Sequence, residues 1–128
     1  MTDIVPEFPS GLVDGVPVVT SPAEITFGNA GHLRNALDSA FTDRAMVIVD
    51  MTATEFCDSS GVAELVFASK RAQKRGDELR LAMARAAVPR FFKLTGADRV
   101  LEIYGSVPEA LAGGAPAGGG RRSGLGGD

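Results

Sequence analysis

The chain runs Ala45-Met46-Val47-Ile48-Val49 without a polar residue and then stops on Asp50. So short an unbroken apolar run suits a strand covered on both faces, the hallmark of parallel sheets, rather than a strand with one wet face, which would alternate. Parallel neighbours cannot be joined by a hairpin; they need crossover connections, usually helices. The flanking sequence is therefore expected to alternate strand and helix around this central strand.

It does. Val16 to Thr20 reads as a first strand, followed by a turn at Ser21-Pro22 and then Glu24, Ile25 and Thr26. After Asn29, a good N-cap residue, Leu33, Ala36, Leu37, Ala40 and Phe41 recur at the spacing of an amphipathic helix. Downstream of the central strand, Val62, Leu65, Val66, Ser69 and Ala72 repeat in the same way. Lys70, Arg71, Lys74 and Arg75 crowd the last turns, where the helix dipole favours cations, and Gly76 follows, so this helix is predicted from about Ser60 to Arg75. Leu79 and Leu81 mark a further strand. A helix with Pro89 in its first turn and Phe92 in the core then ends at Gly96. Arg99 to Tyr104 reads as the last strand, and Ser106-Val107-Pro108-Glu109 has the form of a capping box opening a short helix that Gly113 closes. Strands alternating with helices imply right-handed crossovers and an α/β fold: a single domain with a four-to-five-stranded mixed, mostly parallel sheet and about four helices.

With 128 residues, 45% of them hydrophobic, the chain is long enough for one real core. Residues 1–15 carry Pro6, Pro9, Gly11 and Gly15 with little periodicity, and residues 113–128 read GGAPAGGGRRSGLGGD. Such segments bury too little apolar surface to order themselves, so a folded unit spanning residues 16–112 is expected between a flexible N-terminal segment and a disordered glycine-rich tail. The net charge of −3, with basic residues scattered, argues against nucleic acid as a partner. No apolar stretch approaches the roughly 20 residues that span a bilayer, and Met1-Thr2-Asp3 is acidic where a signal peptide would be basic, so a cytoplasmic protein with no membrane partner is expected.

Chemistry-bearing residues are sparse. Cys57 is the single cysteine and His32 the single histidine, which rules out an internal disulfide and a cysteine/histidine zinc site. Cys57 has no lysine or arginine near it in sequence to lower its pKa, so a packed small hydrophobe is expected rather than a redox sensor. His32 falls on the polar side of the first helix and is read as solvated. The chain lacks GxxxxGK[ST], GxGxxG and HExxH motifs, so no catalytic residue, metal or cofactor is expected. Asp50 and Asp58 flank one loop and could hold a metal in the manner of a receiver domain, but Val16 to Thr20 contains no acid to complete such a site.

That loop, Asp50 to Gly61, lies at the carboxyl end of the central strand, the edge of an open α/β sheet where ligands and partners are usually met. It ends Asp58-Ser59-Ser60-Gly61 at the start of a helix, whose free N–H groups and partial positive charge would stabilise an anion on Ser59 or Ser60. The plain alternative is that Asp58, Ser59 and Ser60 are only N-cap residues.

In context, VIVDMTATEFCDSSGVAELV resembles the strand-loop-helix signature of STAS domains, specifically the bacterial anti-sigma factor antagonists. AAVPRFFKLTGADRVLEIYGSVPEAL and VPVVTSPAEITFGNAGHLRNAL are similar to the family's later and opening segments, so the resemblance spans roughly Val16 to Ala112. It implies that Ser59, the first serine after the aspartate, is phosphorylated by an anti-sigma factor with serine kinase activity. It also implies that the unmodified chain binds that factor and frees a sigma factor, and that a PP2C-type phosphatase resets the phosphorylated form. Asp58, Ser59, Ser60 and Gly61 would form the partner-binding segment, with Asp58 on the contact surface, Ser60 capping the helix and Gly61 allowing close approach of the kinase backbone. Where the family commonly carries Gly-Glu-Leu-Asp, this chain has Pro22-Ala23-Glu24-Ile25-Thr26, a departure that bears on partner choice. STAS domains also serve as scaffold subunits of multiprotein stress-signalling assemblies, a second role the same resemblance allows.

Overall fold

A computed structural model describes residues 7–42, 45–84 and 87–113. The expected central strand is present as β4 (Met46–Asp50), with Val47, Ile48 and Val49 each 0% exposed. It pairs in parallel with β2 (Val16–Thr20) on one side and β6 (Glu78–Ala82) on the other. β6 in turn pairs in parallel with β7 (Glu102–Tyr104). The sheet is therefore α/β and mostly parallel, made mixed by β1 (Ser10–Val13), which adds antiparallel to β2 and completes the order β1-β2-β4-β6-β7.

β1 lies ahead of Val16, within the stretch expected to be flexible, so among the described residues ordered structure begins before residue 16. Phe8 is buried among the core residues, the Pro9 carbonyl accepts from the Thr20 N–H, and Glu7 lies against His32, Oε1 to Nδ1 2.7 Å. All four residues of β1 are exposed, so the strand is held by backbone pairing and by Phe8 rather than by an apolar stripe, which is why it left no periodic signal. His32 is exposed as expected, yet it holds Glu7, whose carboxyl the bond to His32 keeps below the usual range, with Asn29 adding to the effect. Residues 1–6 and the tail from residue 114 onward lie outside the described residues.

Helices α1 (Ala30–Ala40), α2 (Ser59–Lys74) and α3 (Ala87–Thr95) pack on one face of the sheet. Leu33 and Leu37, Val62 and Leu65, and Val88 and Phe92 join Val19, Val47, Val49, Leu79, Leu81 and Ile103 in a single core. The opposite face is covered by α4 (Val107–Ala112), whose Ala110 meets Val18, Ile48 and Tyr104. Arg80, half-buried on that face, donates to the Ala110 carbonyl at 2.6 Å and pairs with Glu78 at 3.0 Å, which anchors the end of α4.

The helix ends follow the side-chain chemistry. Gly76, at φ 81°, donates to the Gln73 carbonyl and Asp77 to the Ala72 carbonyl, the paired bonds that close a helix through a left-handed glycine. Ser106 accepts from the Glu109 N–H, as expected for its capping box. The expected strand from Arg99 to Tyr104 is shorter. Val100 and Leu101 both donate back to the Ala97 carbonyl, so a turn of 3₁₀ helix (Ala97–Arg99) takes up those N–H groups and pairing begins only at Glu102.

Candidate functional site

The connection from β4 to α2 is not the open loop that its polarity suggests. Asp50 Oδ1 accepts from the Thr52 N–H and hydroxyl, and Thr54, fully buried, lies 2.8 Å from the Pro22 carbonyl and 3.0 Å from Ser21 Oγ. Beyond it Phe56–Cys57 forms β5, paired in parallel with β3 (Glu24–Ile25) in a separate two-stranded ribbon. Pro22 to Thr26 is thus the structural backing of the site. Both strands have two residues and were beyond the reach of periodicity.

The ribbon delivers the chain to α2 at Asp58, whose backbone is extended and whose N–H donates to the Ile25 carbonyl at 3.0 Å. Asp58 is the N-cap: Oδ1 accepts from the Ser60 N–H at 2.8 Å and the Gly61 N–H at 3.3 Å. Its other oxygen, Oδ2, accepts from the Phe27 N–H at 3.1 Å, in the turn that leads into α1. The capping role expected of Ser60 therefore belongs to Asp58, and α2 starts one residue earlier than predicted, with Ser59 as its first helical residue. A carboxylate reaches two helix N–H groups and complements the dipole, which a serine hydroxyl two positions on does not do from inside the helix. Ser59 is exposed and Ser60 half-buried. Two aromatics stand out on this side, Phe27 at 85% exposure and Phe56 at 50%.

Gly61 is buried, and within the domain its lack of a side chain has a packing reason. A Cβ at this position would lie 2.6 Å from Ile25 Cγ2 and 2.7 Å from Cys57 Sγ, so the glycine lets α2 sit directly on the β3–β5 ribbon. Gly61→Ala is expected to destabilise the domain by about 1–3 kcal/mol, because Ile25 is fully buried and branched and must move. Thermal denaturation checks this; an unchanged midpoint would mean that the ribbon yields freely.

Cys57 is buried beneath the same contact. Burial, and secondarily the Asp58 charge, push its thiol up to about 12. The protonated, covered thiol is a packing group, as its sequence surroundings suggested. Alkylation by iodoacetamide at pH 8 is expected to run more than ~10-fold slower in the native protein than after unfolding in guanidinium. Comparable rates would place the sulfur at the surface.

Among the described residues no group of three or more His, Cys, Asp or Glu side chains is arranged to hold a metal ion. Asp50 and Asp58, the pair considered for a receiver-like site, have separate engagements, with the Thr52 turn and with the α2 cap. No described helix is long and apolar enough to cross a membrane.

A family model described as STAS domain matches residues 12–110. An anti-sigma factor antagonist from Mycobacterium paratuberculosis is similar in structure with a TM-score of 0.75 at 26% identity, over 82% of this chain and 90% of that one. An anti-sigma-factor antagonist (STAS) domain protein from Planctomyces limnophilus matches with a TM-score of 0.70 at 20% identity, over 85% of this chain and 98% of that one. The Bacillus cell fate determinant SpoIIAA, in its phosphorylated form, matches with a TM-score of 0.62 at 16% identity, over 82% and 96% respectively. The last two likenesses speak to the fold.

Proposed function

The chain belongs to the STAS domain family, and from that premise we propose that it is an anti-sigma factor antagonist controlled by phosphorylation of Ser59. Unmodified, it binds an anti-sigma factor that is also a serine kinase, so that a sigma factor is released. Phosphate on Ser59 ends the binding, and a PP2C-type phosphatase restores it. The chain acts by binding and carries out no catalytic step of its own.

The observation that carries this reading is the exposed Ser59 at the first position of α2, directly after the Asp58 cap. A kinase needs a hydroxyl it can reach, and of the candidates in this segment Thr54 is fully buried and Ser60 half-buried. The helix terminus tolerates the added anion, since its N–H groups and dipole favour negative charge. Phe27 and Phe56 supply the kind of exposed aromatic surface that anchors protein interfaces. The similarity to an anti-sigma factor antagonist at 26% identity supports the antagonist reading.

Intact-mass measurement of the protein from its native cells, with and without phosphatase, followed by fragmentation, tests it. One phosphatase-sensitive phosphate on Ser59 is the expected result. Phosphate on Ser60 alone would transfer the switch to that residue and leave Ser59 as an ordinary first-turn residue.

A further inference from the structure

Asp58 uses its two carboxylate oxygens on two different elements. Oδ1 holds the first turn of α2 through the Ser60 and Gly61 N–H groups, and Oδ2 holds the Phe27 N–H, 31 residues away in sequence, in the turn before α1. Phe27 itself is 85% exposed, so this bond fixes the backbone beneath an aromatic ring that the domain does not bury. The rest of the turn is tied through Asn29 and Thr26: Asn29 Oδ1 accepts from the Thr26 N–H at 2.9 Å, Asn29 Nδ2 donates to the Glu24 carbonyl at 2.9 Å and to Glu7 Oε2 at 3.4 Å, and Thr26 Oγ1 accepts from the Gly28 N–H at 3.1 Å. The Phe27 N–H is where the turn is bonded to α2.

We propose that Asp58 is a positioning residue that sets the Phe27 turn, and that phosphate on Ser59 is relayed to Phe27 by drawing Asp58 away from it. The inference rests, for its biological meaning, on Ser59 being the phosphoacceptor. A phosphate on the first helical residue competes for the very N–H groups that Asp58 Oδ1 now holds, and it carries about −1.5 to −2 charges against the single charge of the carboxylate. Two anions at one helix terminus repel, and the carboxylate, with the smaller charge, gives way to the phosphate. As Oδ1 leaves the Ser60 and Gly61 N–H groups, Oδ2 leaves Phe27. The fold stays, and the turn that carries the exposed ring loses its tie. Phe27 is thereby the aromatic part of the partner surface whose placement depends on the modification state.

The two-oxygen geometry supplies a variant that separates capping from relay. Asp58→Asn retains one acceptor oxygen and caps as well as aspartate, but its second atom is an NH₂ that cannot accept from Phe27. The experiment uses the full chain, ¹⁵N-labelled, with phosphoserine encoded at position 59 so that neither kinase nor partner is required. In the wild type, phosphoserine should speed amide exchange at Phe27 about tenfold, the loss expected for a charge-assisted bond, while amides of β4 stay protected. Asp58→Asn should produce the same acceleration without phosphate, at a melting temperature close to wild type, and phosphoserine should then add nothing at Phe27. Should Asp58→Asn fold poorly, Asp58→Ser, another single-oxygen cap, serves in its place. Phe27 exchange unmoved by phosphoserine overturns the relay, as does a full tenfold effect of phosphoserine in the Asn variant. A Ser59 that native cells never phosphorylate would overturn the functional reading and leave this coupling measurable.

Discussion

A chain lacking residues 1–13 is expected to melt at least ~12 °C below the full protein. The deletion removes Phe8, 5% exposed within the main core, and the whole of β1. Emptying a buried phenylalanine site costs about 3–5 kcal/mol, and in a domain of this size each kcal/mol moves the midpoint by roughly 4–8 °C. Loss of β1 adds to this, since β2 becomes an edge strand whose N–H and C=O groups face water where they had partners from Ser10 to Val13. The point variant Phe8→Ala separates the two contributions: it should account for most of the loss while leaving the β1 pairing intact. A truncated chain that melts within a few degrees of the full one would mean that the strand is peripheral and that the domain does begin at Val16.

That the sequence led to the opposite expectation has a definite cause. Patterns of burial are what a sequence displays, and β1 has none: its four residues are exposed, Pro9 and Gly11 read as breakers, and the single anchoring residue, Phe8, stands alone. The central strand, the helices and the strand-helix alternation were legible because each buries a stripe of three or more residues at a fixed period, as Ala30, Leu33 and Leu37 or Val62, Leu65 and Ala72 do. The β3–β5 ribbon was illegible for the converse reason, being two residues on each side.

At the site, sequence identified the segment and not its internal geometry. Asp58, Ser59 and Ser60 are three consecutive residues all suited to capping, and only the backbone path set by the ribbon decides that Asp58 takes the role. The contacts of Gly61 with Ile25 and of Asp58 with Phe27 join residues more than 30 positions apart, and no local pattern carries them. Ser59 lies at the start of α2, within one residue of the helix boundary read from the sequence, because that boundary follows from the helical period of Val62, Leu65 and Ala72.

Phosphorylation of Ser59 is expected to weaken partner binding at least tenfold while the domain stays folded. The added charge is tolerated within the chain, where it faces the N–H groups at the start of α2. Across an interface the same charge, beside the Asp58 carboxylate, must be desolvated against whatever surface covers Phe27 and Phe56, and an unpaired buried charge is costly. A penalty of a few kcal/mol follows, and ~1.4 kcal/mol is a factor of ten in affinity. Ser59→Ala should stay folded, bind the anti-sigma factor as the unmodified chain does, and resist phosphorylation. Ser59→Asp should stay folded and bind at least ~10-fold more weakly, although its single charge is smaller than that of a phosphate and its effect should be the lesser of the two. Calorimetric titration against the purified anti-sigma factor, with circular dichroism as the control for folding, measures all three. Phosphoprotein that binds as tightly as the unmodified chain would defeat the switch, whereas weak binding accompanied by lost ellipticity would relocate the effect from the interface to the fold, a result the exposed position of Ser59 argues against.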